Sequence, residues 1–549
     1  MRLRAAAAWA LVALWAAWAF APLLGGYFLA DDFVVLALFG HWQEQGRFAT
    51  ALAGKFVSGL DAGESHFYRP LPYAAYALNY VTSGIAAPPW IAVSVAVHAL
   101  NAVLVAVVAA MLTDSESKPR ATAAGAAAAA LFLFYAPSAE VVAWISARPD
   151  AFATLFTLLA CALFLRSRTT GDAAWGLSLL SAVAAMLSKE SAAVVPFAIL
   201  VLAWFRAAAI AGFAARCIAA LRAAAPWLVL AIAYLAWRRY MFGSALTVYH
   251  SSRPVAALML EGDYWCALVG SVPPWYSAQF RSATGYPVLG ALTIAQLAVI
   301  AAGWPAERRA RDALVATVAI FAMTLVLLAP HVSVLRPDGH GGRLIYQSAA
   351  FFAIFAAAAL TLTRRHRVLW AVTLALVVLH AALQVPVLGR WLEAYAQMRE
   401  LVVDVARVHR ESAPGAYTLV LAPAELDDIV FALHAQAGVM IPPVQREVLS
   451  HRLLVQIYDE VPELPGKLKE GIVPFFRERS LFDYLKGDRI DAALEYPTAV
   501  VCWDPGRRHF VPLEVATGPS PEEYARAVQR ALDASRCSPF TAKFGYVKP

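Results

Sequence analysis

Long apolar runs recur along the first 390 residues of this chain, each of the length a helix needs to cross a bilayer, with short polar segments between them. Taking runs of roughly 17 to 22 residues as the criterion, they lie near 5–24, 89–112, 121–137, 150–165, 173–188, 191–207, 226–242, 286–303, 313–330, 344–362 and 368–388. The pattern predicts a multi-pass α-helical membrane protein with about eleven transmembrane helices. Only 15% of the 549 residues are charged and mean hydropathy is +0.59, whereas soluble proteins carry roughly 25% charged residues. The net charge of +7 is therefore no nucleic-acid footprint, because most arginines before position 390 occupy short loops between runs.

Those arginines and lysines set an orientation. With Arg2 and Arg4 inside, the inner loops hold Lys118 and Arg120; Arg166 and Arg168; Arg206, Arg216 and Arg222; Arg308, Arg309 and Arg311; and Arg364, Arg365 and Arg367. Every inner loop is basic, as the positive-inside rule expects. An odd number of spans then puts the C-terminal part outside. The expected location is a bacterial plasma membrane, with the N-terminus cytoplasmic. Arg238 and Arg239 are exceptions at the outer end of the seventh run, where either the span is misplaced or the two guanidinium groups bind phosphate. The start, Met1-Arg2-Leu3-Arg4, also fits a secretory signal with Ala19-Phe20-Ala21 as its cleavage site. The many later spans favour an uncleaved first helix, and Asp31 and Asp32 are retained either way.

On this topology the outer side collects Asp31, Asp32, Arg69, Glu140, Arg148, Asp150, Lys189, Glu190, Arg336 and Arg343. The adjacent pair Asp31-Asp32 follows the first run, just past the boundary where charge becomes affordable. Two adjacent carboxylates repel, which fits one of them for acid–base work; the plainer reading is a helix stop at the water interface. Val34–Gln43 and Leu71–Tyr80 are helix-compatible but too short to span, and read as helices along the outer interface. His98 and Asn101 inside the second run read as helix-to-helix glue. The segment 242–287, with Pro273-Pro274-Trp275-Tyr276, reads as a lid or acceptor-side loop, and His331, Asp338 and His340 have no spacing that demands a metal. A carboxylate beside several cations suits proton removal from an acceptor hydroxyl while a phosphate leaving group is neutralised. At the membrane edge, that leaving group would belong to a lipid.

From Arg390 the composition becomes that of a soluble domain, giving an expected division into 1–389 and 390–549. Trp391–Arg410, Asp427–Val439 and Pro521–Ser535 read as helices, and Tyr417–Leu421, Ala499–Trp503 and Phe510–Val515 as strands. The alternation predicts a small C-terminal α/β domain outside the membrane, in which Cys502 and Cys537 could pair. It carries no Walker or Rossmann glycine motif, no catalytic-triad signature and no tetratricopeptide-type repeat.

Several short motifs occur in a common order and on one side: Asp31-Asp32, the Phe67–Leu71 segment with Tyr-Arg-Pro-Leu, Val97-His98-Ala99-Leu100-Asn101, Ser146-Ala147-Arg148-Pro149-Asp150, Leu187-Ser188-Lys189-Glu190, and Gly342-Arg343-Leu344-Ile345-Tyr346. Over about residues 1–390 this resembles the polyprenyl-phosphate-sugar-dependent GT-C glycosyltransferases, in particular transmembrane O-mannosyltransferases that carry tetratricopeptide repeats. The departures are the missing repeats, Gly342 where that family has an acidic residue, and Ala147 and Pro149 in the Arg-to-Asp loop. The resemblance implies a GT-C-like fold with Asp31 or Asp32 as general base or acceptor positioner, Asp31 being slightly favoured. It implies that Arg343, Lys189 and Arg148 bind the lipid phosphate, with Glu190 and Asp150 orienting them or the sugar, and Arg69 and Tyr346 also lining the substrate. The implied reaction moves a hexose or pentose, mannose or a relative, from a polyprenyl monophosphate to a hydroxyl of a protein, lipid or glycan, with inversion. No metal ligand set is implied, and a divalent cation as cofactor stays open. The competing readings are a transporter or flippase, a polymerase or ligase using a lipid-diphosphate donor, and a degenerate member whose outer domain is a binding module.

Overall fold

The computed structural model describes residues 12, 14, 15, 18–57, 67–114, 118–242, 298–328, 342–363, 366–412, 417–465, 499–516 and 520–537, with 428, 436–437 and 450–451 excepted. Most of the first run, the start of the run at 286–303, the 242–287 loop beyond Phe242, and Arg336 with His331, Asp338 and His340 lie outside the described residues.

The described chain is a helical membrane protein. Among the described residues, five helices are long and apolar enough to cross a bilayer: Ala87–Thr113, Ile145–Arg166, Glu190–Ala209, Phe213–Phe242 and Gly342–Leu362. Around them lie Lys118–Leu133, Ala173–Met186 and Arg308–Leu328. The helix Ala87–Thr113 has prolines in its first turn, where a missing N–H costs nothing, and its 27 residues give about 40 Å of rise. Alanines supply much of the packing. Ala102 and Ala109 share a core with Ala124, Ala127 and Ala128, and such small side chains allow helices to approach closely without a hydrophobic drive from water. Gly342–Leu362 is the central helix, with 89% of its most apolar window buried, whereas the 17% of Phe213–Phe242 makes that helix peripheral. Arg238, near the end of the peripheral helix, is nonetheless buried beside the rings of Tyr234 and Phe242, so it faces protein.

Two of the basic loop residues are held by the protein. Arg206 donates to the carbonyls of Phe164 and Ser167 at 2.9 and 2.8 Å, and Arg216 pairs with Asp312 at 2.9 Å.

At the Asp31 end, helix α1 (Asp32–Glu44) is buried over almost its whole circumference, from Phe33 and Val35 through Trp42. The interfacial position expected for Val34–Gln43 is thus corrected. A helix apolar on all sides needs cover on all sides, and the C-terminal part of the chain supplies it. The expected Leu71–Tyr80 helix extends over Pro70–Ser83, starting on its proline.

The 46-residue helix His366–Glu411 runs from the bundle into the C-terminal part, and the compositional boundary at 389/390 falls inside it. Trp391, Ala394, Tyr395, Met398, Leu401, Val402, Val405 and Val408 form its buried stripe at helical spacing. One core joins this stripe to Phe28, Leu29 and Phe33 and to Phe431, Met440, Ile441 and Trp503. The C-terminal sheet has the order β4-β1-β5-β6 (Leu453–Ile457, Thr418–Ala422, Ala499–Asp504, His509–Pro512), with β1 parallel to both neighbours and β6 antiparallel to β5. The helix expected at Asp427–Val439 is not formed. Its place is taken by a small hairpin, β2 (Glu425–Leu426) with β3 (Ile429–Val430), and by turns with Asp427 and His434 at φ of 47° and 63°. Its apolar residues Ile429 to Ala432 are contiguous, and two left-handed residues interrupt any helix. The final helix Pro521–Ala534 is capped by Ser520, which accepts from the Glu523 N–H.

Cys502 on β5 and Cys537 after the last helix form a disulfide across a separation of 35 residues. Replacing either by Ser is expected to lower the stability of this sheet by about 2–4 kcal/mol, by releasing the constraint on the unfolded chain. Limited proteolysis of the solubilised protein should show earlier cleavage after residue 412 in the variant and in reduced wild type; equal resistance would show the bond to be idle.

Candidate active site

The two neighbouring aspartates occupy unlike environments. Ala30 takes a left-handed φ of 48°, and the turn it makes sets Asp31 as the N-cap and Asp32 as the first residue of α1. The Asp32 carboxylate is buried and accepts from the Leu29 N–H at 3.0 Å, the Ser146 N–H at 2.8 Å and the Ser146 hydroxyl at 2.6 Å. Burial pushes its pKa up to about 7 against the pull of the Ser146 and Leu29 bonds. It clamps α1 to the loop before Arg148. Asp31 keeps a side chain 39% exposed and touches His434 Nδ1 at 2.6 Å. Of the pair, Asp31 is the one open to a ligand.

The loop that receives Asp32 is held from three sides. Tyr76 donates its hydroxyl to the Ile145 carbonyl at 2.9 Å, and Tyr395, from the long helix, donates to that of Ala143 at 2.6 Å. Arg148 is fully buried and donates to Asn79 Oδ1 at 2.8 Å, the Trp90 carbonyl at 2.7 Å and Ser94 Oγ at 3.3 Å. Its guanidinium is engaged by the protein on three sides, which fixes the loop and leaves little of it to meet a phosphate. Asp150, two residues on, binds Lys189 Nζ through both oxygens at 2.6 and 2.7 Å in a buried ion pair. Beside it Arg69 pairs with Glu190, its Nε donating to Oε2 at 3.2 Å while its face lies 4.1 Å from the Phe67 ring centre. Tyr76 lies within electrostatic range of Asp32, Arg69, Arg148 and Asp150, so these residues form one connected cluster.

Arg343 stands at the start of the central helix, its guanidinium carbon 4.3 Å above the Trp144 ring. Its guanidinium pairs with the Glu140 carboxylate at a loose 3.9 Å, and the side chain keeps 26% exposure. The Arg343 N–H also donates to Glu140 Oε2 at 3.3 Å. Burial raises the Glu140 pKa to about 7, with the Arg343 charge and backbone opposing the rise. This explains why Gly342 needs no acidic side chain. The carboxylate beside Arg343 arrives from another loop, and a Cβ at 342 would meet the Pro137 carbonyl at 2.5 Å.

Tyr346 is buried deeper, its hydroxyl 2.7 Å from His98 Nδ1 and 3.2 Å from Asn101 Nδ2. The trio ties the central helix to Ala87–Thr113, the helix-to-helix role expected of His98 and Asn101. Tyr346 thus sits among bundle residues rather than at the opening where Asp31 lies. Among the described residues, no group of three or more His, Cys, Asp or Glu side chains converges as a metal site.

Two participants were not singled out from sequence as site residues. Glu140 carried a signal, an acidic residue in the same short outer segment as Arg148. His434 carried none, since 403 positions separate it from Asp31.

No known family profile matches the chain, and no curated protein matches it either. Among solved structures it is similar to ArnT from Cupriavidus metallidurans in the apo state, at 14% identity and a TM-score of 0.41 over 80% of this chain and 88% of that one. It is likewise similar to the same protein bound to undecaprenyl phosphate, at 15% identity and a TM-score of 0.40 over 83% and 90% of the two chains.

Proposed function

We propose that the protein is an inverting membrane glycosyltransferase of GT-C type that takes a sugar from a polyprenyl-phosphate donor at the extracytoplasmic face. The observation that carries this reading is that one accessible carboxylate, Asp31, and one partly exposed guanidinium, Arg343, both lie within electrostatic range of His434. In the reaction, an acceptor hydroxyl oxygen attacks the anomeric carbon while the carbon–oxygen bond to phosphate breaks. Asp31 takes the hydroxyl proton, and the polyprenyl monophosphate leaves with the bonding electrons. Arg343 neutralises the phosphate oxygens as charge builds there, and Arg69 and Lys189, each paired with a carboxylate, brace the site from behind. Glu190 and Asp150 hold those two cations in place, and Arg148 keeps the loop beneath them rigid.

The transporter alternative draws less support, because the charges gather at one end rather than near the bilayer midplane.

The test is polyprenyl phosphate release by purified protein from a panel of polyprenyl-monophosphate sugars, with a cell extract as acceptor source. One donor is expected to be turned over. Folded protein that releases nothing from any monophosphate donor would overturn the reading in favour of a diphosphate donor or transport.

A further inference from the structure

The C-terminal part does more than cover α1: it reaches the exposed aspartate. The segment 431–434 lies along residues 30–31, with the Ala30 N–H donating to the Phe431 carbonyl at 2.8 Å and His434 Nδ1 2.6 Å from Asp31 Oδ1. Gly438 sits so close to the Phe33 carbonyl that any Cβ there would collide with it, and a Cβ on Gly40 would meet Pro443 at 2.7 Å. His434 itself is held at a left-handed φ of 63°, with its imidazole against Asp31.

We propose that His434 is the positioning residue of Asp31, so that the site of glycosyl transfer is completed by the C-terminal part of the chain. This rests on the transferase reading above. The Nδ1–H of neutral His434 holds Asp31 Oδ1, turning the other oxygen toward the acceptor hydroxyl. Protonated His434 ties the same carboxylate in an ion pair and makes it a poorer base.

The charged groups around the imidazole are Asp31 from α1, Glu460 from the turn after β4, and Arg343 from the central helix. Burial disfavours the imidazolium, but the Asp31 bond and the charges of Asp31 and Glu460 outweigh it and Arg343, and the pKa is raised. The ion pair is therefore complete below the ordinary histidine pKa and is lost as pH rises through the higher folded value. Transfer should fall on the acidic side of that value.

The test has two arms. In nitrogen-15-histidine-labelled protein in lipid nanodiscs, the His434 signal is assigned by its loss in His434→Asn. It should titrate above the ordinary range in wild type and fall back in Asp31→Asn; one midpoint in both proteins overturns the pairing. In the transfer assay His434→Ala should lower kcat on the order of 10²-fold, the scale of a misplaced catalytic group. His434→Asn tolerates the left-handed backbone and keeps a donor near the Nδ1 position. It should recover much of the rate but move the acidic limb to lower pH. An unchanged pH profile in both variants overturns the positioning role. Coupled titration in a wild type that transfers no sugar would sink the transferase reading separately, and would reduce His434 to a structural clasp, which also overturns the proposal.

Discussion

Replacing Asp31 by Asn is expected to cut sugar transfer by about 10²- to 10⁴-fold, the usual contribution of a general base, while leaving the protein folded. The Asp31 side chain is partly exposed and bonded to His434, so an amide of the same shape loses the proton acceptor and little else. Asp32→Asn should behave differently. Its amide nitrogen would have to face the Leu29 N–H or the two Ser146 donors, leaving buried donors unpaired at a cost of about 1–3 kcal/mol. Stability then depends on pH in a known direction. The folded pKa of Asp32, about 7, lies above its unfolded value of 3.8, so the contribution of this group is complete below 3.8 and is lost as pH rises through about 7. Polyprenyl phosphate release and thermal unfolding, measured together on both variants, separate the two roles. Equal loss of rate and stability in both would put the pair back to a helix terminus.

Lys189→Ala is expected to destabilise the protein by about 3–5 kcal/mol, because it strands the Asp150 carboxylate in a buried site. Both side chains are less than a tenth exposed, so solvent screening does little to soften the loss. The pair itself is a different matter. Removing both charges at once, as in Lys189→Met with Asp150→Leu, should restore most of the stability, since desolvation offsets much of the attraction between buried ions. Thermal unfolding of the two single variants and the double variant gives the coupling directly. A double variant as unstable as the sum of the singles would mean that the two residues act through separate neighbours.

The membrane helices were legible because lipid leaves a backbone few options, and an apolar stretch such as Ala87–Thr113 has one stable fate. The cations and carboxylates near the opening were legible for a related reason: charge beside an apolar run is costly and therefore conspicuous. Partnership was not legible. Arg148 and Arg343 look alike in sequence, yet one is enclosed by Asn79, Trp90 and Ser94 and the other stands over Trp144 with room to spare. The helix expected at Asp427–Val439 failed because α1, some 400 positions earlier in the chain, selects an open turn there to cover its own apolar surface. Tyr346 was assigned to substrate through a short motif, while its hydrogen bonds run to His98 and Asn101.

The helix His366–Glu411 has 46 residues, about 69 Å of rise at 1.5 Å per residue, and passes from the far end of the bundle into the body that carries His434. Its stripe from Leu388 to Val408 packs in one core with Phe28, Leu29 and Phe33 on one side and Phe431 and Trp503 on the other, so the contact between His434 and Asp31 is built on a continuous interior rather than across a hinge.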